Sequence, residues 1–311
     1  MTAPRDHGGG IDAAIATFGG TREGWLDLST GINPVPYPMP TLPRDAWRAL
    51  PDQAAFAQLY ARARSFWNVP DGAAIVAAPG ASAIIAALPR VLSQGKVCIP
   101  GPTYNEHGAA FRAAGWTLTP DASDVLVAVH PNNPDGRHWT ATELDAPTTI
   151  IDESFCDIAP EASLIGLAAQ PGRVILKSFG KFWGLAGMRL GFAIGDPDII
   201  ANLGEVLGPW QVSGPALAIG AEALADPQWA DETRERLKDD ATRLDTLLTG
   251  TGAELVGGTP LFRLYKVQNA KAAQTHLARR HIWSRVFPYA DDWLRLGLPA
   301  PERWPELEAA F

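Results

Sequence analysis

Val174-Ile175-Leu176-Lys177-Ser178-Phe179-Gly180-Lys181-Phe182-Trp183-Gly184-Leu185-Ala186-Gly187-Met188-Arg189-Leu190-Gly191-Phe192 decides the reading of this chain. Three aliphatic residues predict a buried strand, and Lys181 follows it among glycines. A solvated lysine has no need of small neighbours. A lysine that forms a Schiff base with a flat ring does, because the ring must approach the backbone closely. Ser178, three residues before Lys181, and Arg189, eight after, are both able to bind a phosphate. A surface lysine in a glycine-rich loop would give the same short stretch, so the rest of the chain has to arbitrate.

Working outward, Ala78-Pro79-Gly80-Ala81-Ser82 reads as a glycine turn opening a helix. Pro102-Thr103-Tyr104-Asn105-Glu106-His107 follows, then His130-Pro131-Asn132-Asn133-Pro134-Asp135-Gly136. Ile150-Ile151-Asp152-Glu153-Ser154-Phe155 is an apolar strand ending in a carboxylate. Predicted strands at 96–99, 116–119, 125–129, 148–151, 174–177 and 190–194 alternate with helices at 52–68, 81–92 and 105–114. Further helices are expected at 197–207, 215–224 and 228–248, and one short helix near 11–18. This alternation predicts an α/β fold with a mainly parallel sheet covered on both faces. Ligands of such sheets bind at the carboxyl ends of strands, where these motifs fall. Only about a dozen residues separate Gly136 from the strand at Thr148, so that crossover is trimmed to a turn or so at 140–144.

Domain boundaries are expected as an N-terminal segment over 1–50 packing on both domains, a large domain over 51–205, and linking helices plus a small α+β domain over 206–311. The last part, 254–311, reads as strand, strand, helix, strand, strand, helix. Composition fits this plan: 311 residues, 46% hydrophobic and 19% charged, with mean hydropathy near zero. The net charge of −8 and the absence of a basic stripe argue against nucleic acid. No apolar run reaches membrane-spanning length and the start is polar and glycine-rich, so the cytoplasm is expected. Cys98 and Cys156 read as small hydrophobic residues, and no metal is expected.

Taken in order, the quoted motifs resemble the pyridoxal-phosphate enzymes of fold type I, the aspartate aminotransferase superfamily. The resemblance implies pyridoxal 5′-phosphate as cofactor and Lys181 as its Schiff-base lysine. It implies a phosphate cup from Gly80, Ala81, Ser82, Ser178 and Arg189, with the helix N-terminus and the guanidinium facing the dianion. Asp152 would keep the ring nitrogen protonated, and a protonated ring is the electron sink. His107 either backs Asp152 or is an exposed helix-start histidine. Tyr104 would stack on the ring, and Asn133 would hydrogen-bond its 3-oxygen. The superfamily also implies a homodimer, in which Tyr60 completes the partner's phosphate site or is simply a core aromatic.

Phe155 stands where most aminotransferases of this group carry a tyrosine. The opening Asp6-His7-Gly8-Gly9 and the stretch Trp25-Leu26-Asp27-Leu28-Ser29-Thr30-Gly31-Ile32-Asn33-Pro34 resemble the threonine-phosphate decarboxylases of the cobalamin pathway. That resemblance implies a small phosphorylated amino acid as substrate. Its candidate binding residues are His7, Gly31, Asn33 and Arg137, with Arg295 for the carboxylate. A histidinol-phosphate-type aminotransferase and a catalytically silent binding protein are the other readings.

Overall fold

The structure, a computed structural model, describes residues 7–311, so Asp6 of the Asp6-His7-Gly8-Gly9 opening lies outside the described residues. Helices are α1 (Ile11–Phe18), α2 (Asp45–Arg48), α3 (Gln53–Phe66), α4 (Ala81–Val91), α5 (Asn105–Ala113), α6 (Pro197–Leu207), α7 (Gly214–Ala223), α8 (Pro227–Gly250), α9 (Ala270–Ala278) and α10 (Trp304–Glu308). Strands β1 to β4 are Leu26–Asp27, Ala74–Ala78, Lys96–Cys98 and Thr117–Leu118. Strands β5 to β8 are Val125–Val129, Thr148–Asp152, Arg173–Ser178 and Gly191–Gly195. Strands β9 to β13 are Glu254–Thr259, Phe262–Lys266, Ile282–Trp283, Arg285–Phe287 and Ala290–Gly297. The chain divides into two compact units. The large one comprises 36–133 and 138–232; the small one comprises the stretch through Val35, residues 134–137 and 233–311.

The large unit is built on a seven-stranded sheet of order β2-β8-β7-β6-β5-β3-β4. It is parallel except for β8, which runs antiparallel to both β2 and β7. Val125 to Val129 are all buried, as the near-continuous aliphatic run of a two-side-covered strand requires. On one face Val127, Ile150, Val174, Leu176 and Ala193 pack with Ile84, Leu88, Phe111 and Leu203 of α4, α5 and α6. Strand residues alternate, so Ile151, Ile175, Lys177 and Phe192 occupy the opposite face. There the Phe192 ring meets Trp67 edge-on at 5.0 Å. The β5–β6 crossover is indeed short. It holds one 3₁₀ turn, Ala141–Glu143, closed by a capping box between Thr140 and Glu143.

The small unit carries a four-stranded antiparallel sheet of order β12-β13-β10-β9. Sequence patterning predicted two strands after α9 and the structure has three. The extra one, β11, is two residues long and pairs in parallel with β1. Neither β1 nor β2 was predicted. The first is too short for alternation to register. The second, Ala-Ile-Val-Ala-Ala, is mostly alanine, which dilutes the β-branched signature of Ile75 and Val76.

Candidate active site

Strand register assembles an anion cup in the large unit. Gly191 pairs with Ala78 on one side and Ser178 on the other. The ends of β2 and β7 and the start of β8 therefore lie side by side. Beyond Ala78, Gly80 takes φ +86 and caps α4 without any side-chain hydrogen bond. The first amides of α4 have no partner within the helix, and its dipole places roughly half a positive charge there. A Cβ at Gly80 would collide with the Arg189 guanidinium, so only glycine leaves the arginine its place. Arg189 itself adopts φ +55, uncommon for a residue with a Cβ. Its Nη1 donates to the Ala186 carbonyl at 2.8 Å. Ser178 Oγ accepts from the Gly180 amide at 3.2 Å, tightening the turn that leads to Lys181.

Asp152 ends β6 with 2% of its surface exposed. His107 on α5, equally buried, donates from Nε2 to Oδ2 at 2.8 Å. Ser154 donates to Oδ1 from its hydroxyl at 2.5 Å and its amide at 3.0 Å. Burial alone would push this carboxyl up. The His107 and Ser154 hydrogen bonds and the nearby imidazole outweigh burial and hold it below the usual aspartate range. The carboxylate is thus kept ionised in the interior. Tyr104 stands at the start of α5, its ring edge-on to His107 at 6.1 Å. Lys181 places Nζ 5.1 Å over the Phe155 ring. Nearby, Asn132 accepts from Thr103 Oγ1 at 2.6 Å and donates to the Pro102 carbonyl at 3.0 Å. That pins the turn bearing Asn133. Tyr60 on α3 accepts through its hydroxyl from the Ala77 amide at 3.3 Å, one residue before the end of β2.

An anion cup, a buried ionised acid and an amine above an aromatic ring match the three demands of a phosphorylated pyridine aldehyde. These are a dianion site, a partner for a ring N–H and a nucleophilic nitrogen. Pyridoxal 5′-phosphate fits the donor set present. His130, Glu153 and Cys156 come close enough together for a metal ion. However, His130 Nδ1 accepts from the Trp139 amide and Nε2 is on the Ala162 carbonyl. Glu153 is taken up by Lys177, Ser163 and Leu164, and Cys156 Sγ donates to the Ala159 carbonyl, so each member already serves the fold.

A second group of expected residues meets in the small unit. Arg295 on β13 is buried and donates from Nη2 to the Ser29 carbonyl at 2.6 Å. The Gly9 amide donates to Ser29 Oγ at 2.7 Å, and a Cβ at Gly8 would strike the Ser29 carbonyl. The segment after His7 is thereby fixed on the loop holding Gly31 (φ +83) and Asn33. His7 and Arg137 are exposed. Sequence reading missed Arg236 on α8, whose Nη2 donates to Asn33 Oδ1 at 2.7 Å. It also missed Arg285, which lies directly opposite Arg295 in the β12–β13 pair. An arginine on a polar helix face and another on a short strand carry no local signal.

The sequence pattern of the aminotransferase class I and II family matches residues 117–306. A threonine-phosphate decarboxylase of Sinorhizobium sp is 39% identical, covering 97% of this chain and 95% of that protein. One of Pseudomonas aeruginosa is 38% identical, covering 98% and 97%. Among solved structures, a histidinol-phosphate aminotransferase of Sinorhizobium meliloti in complex with pyridoxal-5′-phosphate superposes with a TM-score of 0.85. It is 16% identical, covering 99% of this chain and 94% of that one, and shows the shared fold. The chain belongs to the aminotransferase class I and II family, within which it is similar over almost its whole length to threonine-phosphate decarboxylases.

Proposed function

We propose that this protein decarboxylates L-threonine O-3-phosphate, releasing CO2 and (R)-1-amino-2-propanol O-2-phosphate for cobalamin biosynthesis. The observation that carries the reading is the small-unit cluster, where the Gly8-Gly9 segment and Arg295 meet on Ser29. That opening is the feature that set the decarboxylase resemblance apart from aminotransferases, and the near-full-length relatives bear the same name.

Pyridoxal 5′-phosphate, when bound, supplies the electron sink for the pair left on Cα as the carboxylate departs. Gly80, Ala81, Ser82, Ser178 and Arg189 would hold its phosphate. Asp152 would face its ring nitrogen, Asn133 its 3-oxygen and Tyr104 its ring face. Lys181 Nζ would be the attachment point, and its ammonium form could return a proton to Cα. Arg295 orients the substrate carboxylate. The Ser29–Asn33 loop and His7, with Arg137 the weakest candidate, take the substrate phosphate. Of the bonds to Cα, the one aligned with that sink would be broken. Anchoring the remote phosphate would fix the pose of the carboxylate, so that binding energy far from Cα would select decarboxylation.

Incubation with threonine O-3-phosphate alone should release CO2. Turnover only in the presence of 2-oxoglutarate, with glutamate formed, would replace this reading by the aminotransferase one.

We further propose a homodimer. In the large unit Trp47, Leu50, Val206 and Trp210 are exposed, and Phe56, Tyr60 and Trp210 line one apolar groove. Light scattering should give twice the chain mass. Among the described residues no helix is long and apolar enough to cross a membrane.

A further inference from the structure

Beneath the Lys181 turn, on the sheet face opposite α4 and α5, lies a buried polar cluster that the proposed chemistry does not use. Lys177 is 1% exposed, and its Nζ sits 2.6 Å from Glu153 Oε2 and 3.5 Å from Asp157 Oδ1. Burial would pull this amine down. The two carboxylates more than offset that and hold it above an ordinary lysine. Glu153 is saturated by the Ser163 hydroxyl at 2.7 Å and the Leu164 amide at 2.5 Å. Asp157 has two different donors. Trp67 Nε1 reaches Oδ1 and Trp183 Nε1 reaches Oδ2, each at 2.9 Å.

Trp183 follows Lys181 by two residues. Its ring stacks on Phe179, two residues before Lys181, at 5.0 Å and 10°. Trp229 also stacks on it, at 5.4 Å and 12°. The residues on both sides of Lys181 are therefore locked into one stack, and the polar end of that stack terminates on Asp157. A turn so held leaves the lysine backbone little room to shift, and displacements near 1 Å matter at a reacting centre.

We propose that Asp157, acting through the Trp183 indole, is a positioning residue for Lys181, with Lys177 fixing Asp157 in turn. The proposal rests on Lys181 being the cofactor lysine. Asp157→Asn is the informative change. An amide cannot accept from both indoles, so one N–H must face an N–H donor. Trp183→Phe keeps the stack and removes the donor, and serves if the asparagine variant fails to fold. In the holoenzyme, each single variant should lower kcat roughly tenfold with KM little changed, a loss of about 1.4 kcal/mol in transition-state stabilisation. Each should also weaken the visible circular dichroism of the bound cofactor, which reports its seating. The double variant should cost less than the product of the two, since the clash and the donor vanish together. If the variants melt at lower temperature while kcat and visible circular dichroism stay at wild-type values, the cluster is only a structural ion pair and the proposal fails. A borohydride-reduced cofactor adduct mapped to another lysine would instead overturn Lys181 as the cofactor lysine.

Discussion

Asp152 ends β6 and Glu153 follows it; both are almost fully buried, and as successive extended residues they face opposite sides of the sheet. Asp152 is held by a histidine and a serine. Glu153 is held by a permanently charged lysine. The contrast separates a carboxylate prepared for a ligand from one consumed by the fold. A lysine 2.6 Å away neutralises Glu153 completely and leaves nothing for an incoming cation. His107 and Ser154 keep Asp152 ionised, which suits it to the proposed role of partner to a protonated ring nitrogen. Burial is affordable in both places because each acid is hydrogen-bonded.

The comparison breaks most visibly at Asp152. Asp152→Asn keeps the shape and removes the charge, and kcat should fall roughly 100- to 1000-fold with the melting profile retained. Near-normal turnover would mean the two acids do not differ in role. Glu153→Gln should do the reverse. It leaves Lys177 without its closest counter-ion, and loss of one partner of a buried pair costs about 3–5 kcal/mol. Chemical denaturation of the two variants side by side measures that gap. An unchanged midpoint for Glu153→Gln would refute the structural role.

A smaller effect sharpens the same contrast. Asp152 has its pKa depressed by folding. Its contribution to stability is present above the ordinary aspartate range, and is lost as pH falls through the lower folded value. The acid limb of the stability curve should therefore flatten in Asp152→Asn, measured by urea midpoints in the absence of cofactor. A limb that keeps its slope would place the acid sensitivity elsewhere.

The residues proposed to face the cofactor stand out in the sequence because strand ends, glycines and charges carry local signals. Lys181, Asp152 and Gly80 each break a pattern that their neighbours establish. His107 was ambiguous, since a histidine at a helix start reads the same buried or exposed, and only tertiary packing puts it on Asp152. The Lys177 cluster was invisible. A lysine inside Ile-Leu-Lys-Ser looks like a strand-end residue, and its partners lie 20 and 24 positions away. Arg236 and Arg285 were missed for the same reason. The small-unit strand count failed where two-residue strands pair across long sequence separation.

The central claim is that the substrate's remote phosphate sets the pose in which Cα loses its carboxylate. Its most direct test is the rate of CO2 release at saturation from L-threonine O-3-phosphate and from free L-threonine. Removing the phosphate should lower kcat as well as raise KM. Equal saturated rates would contradict the account.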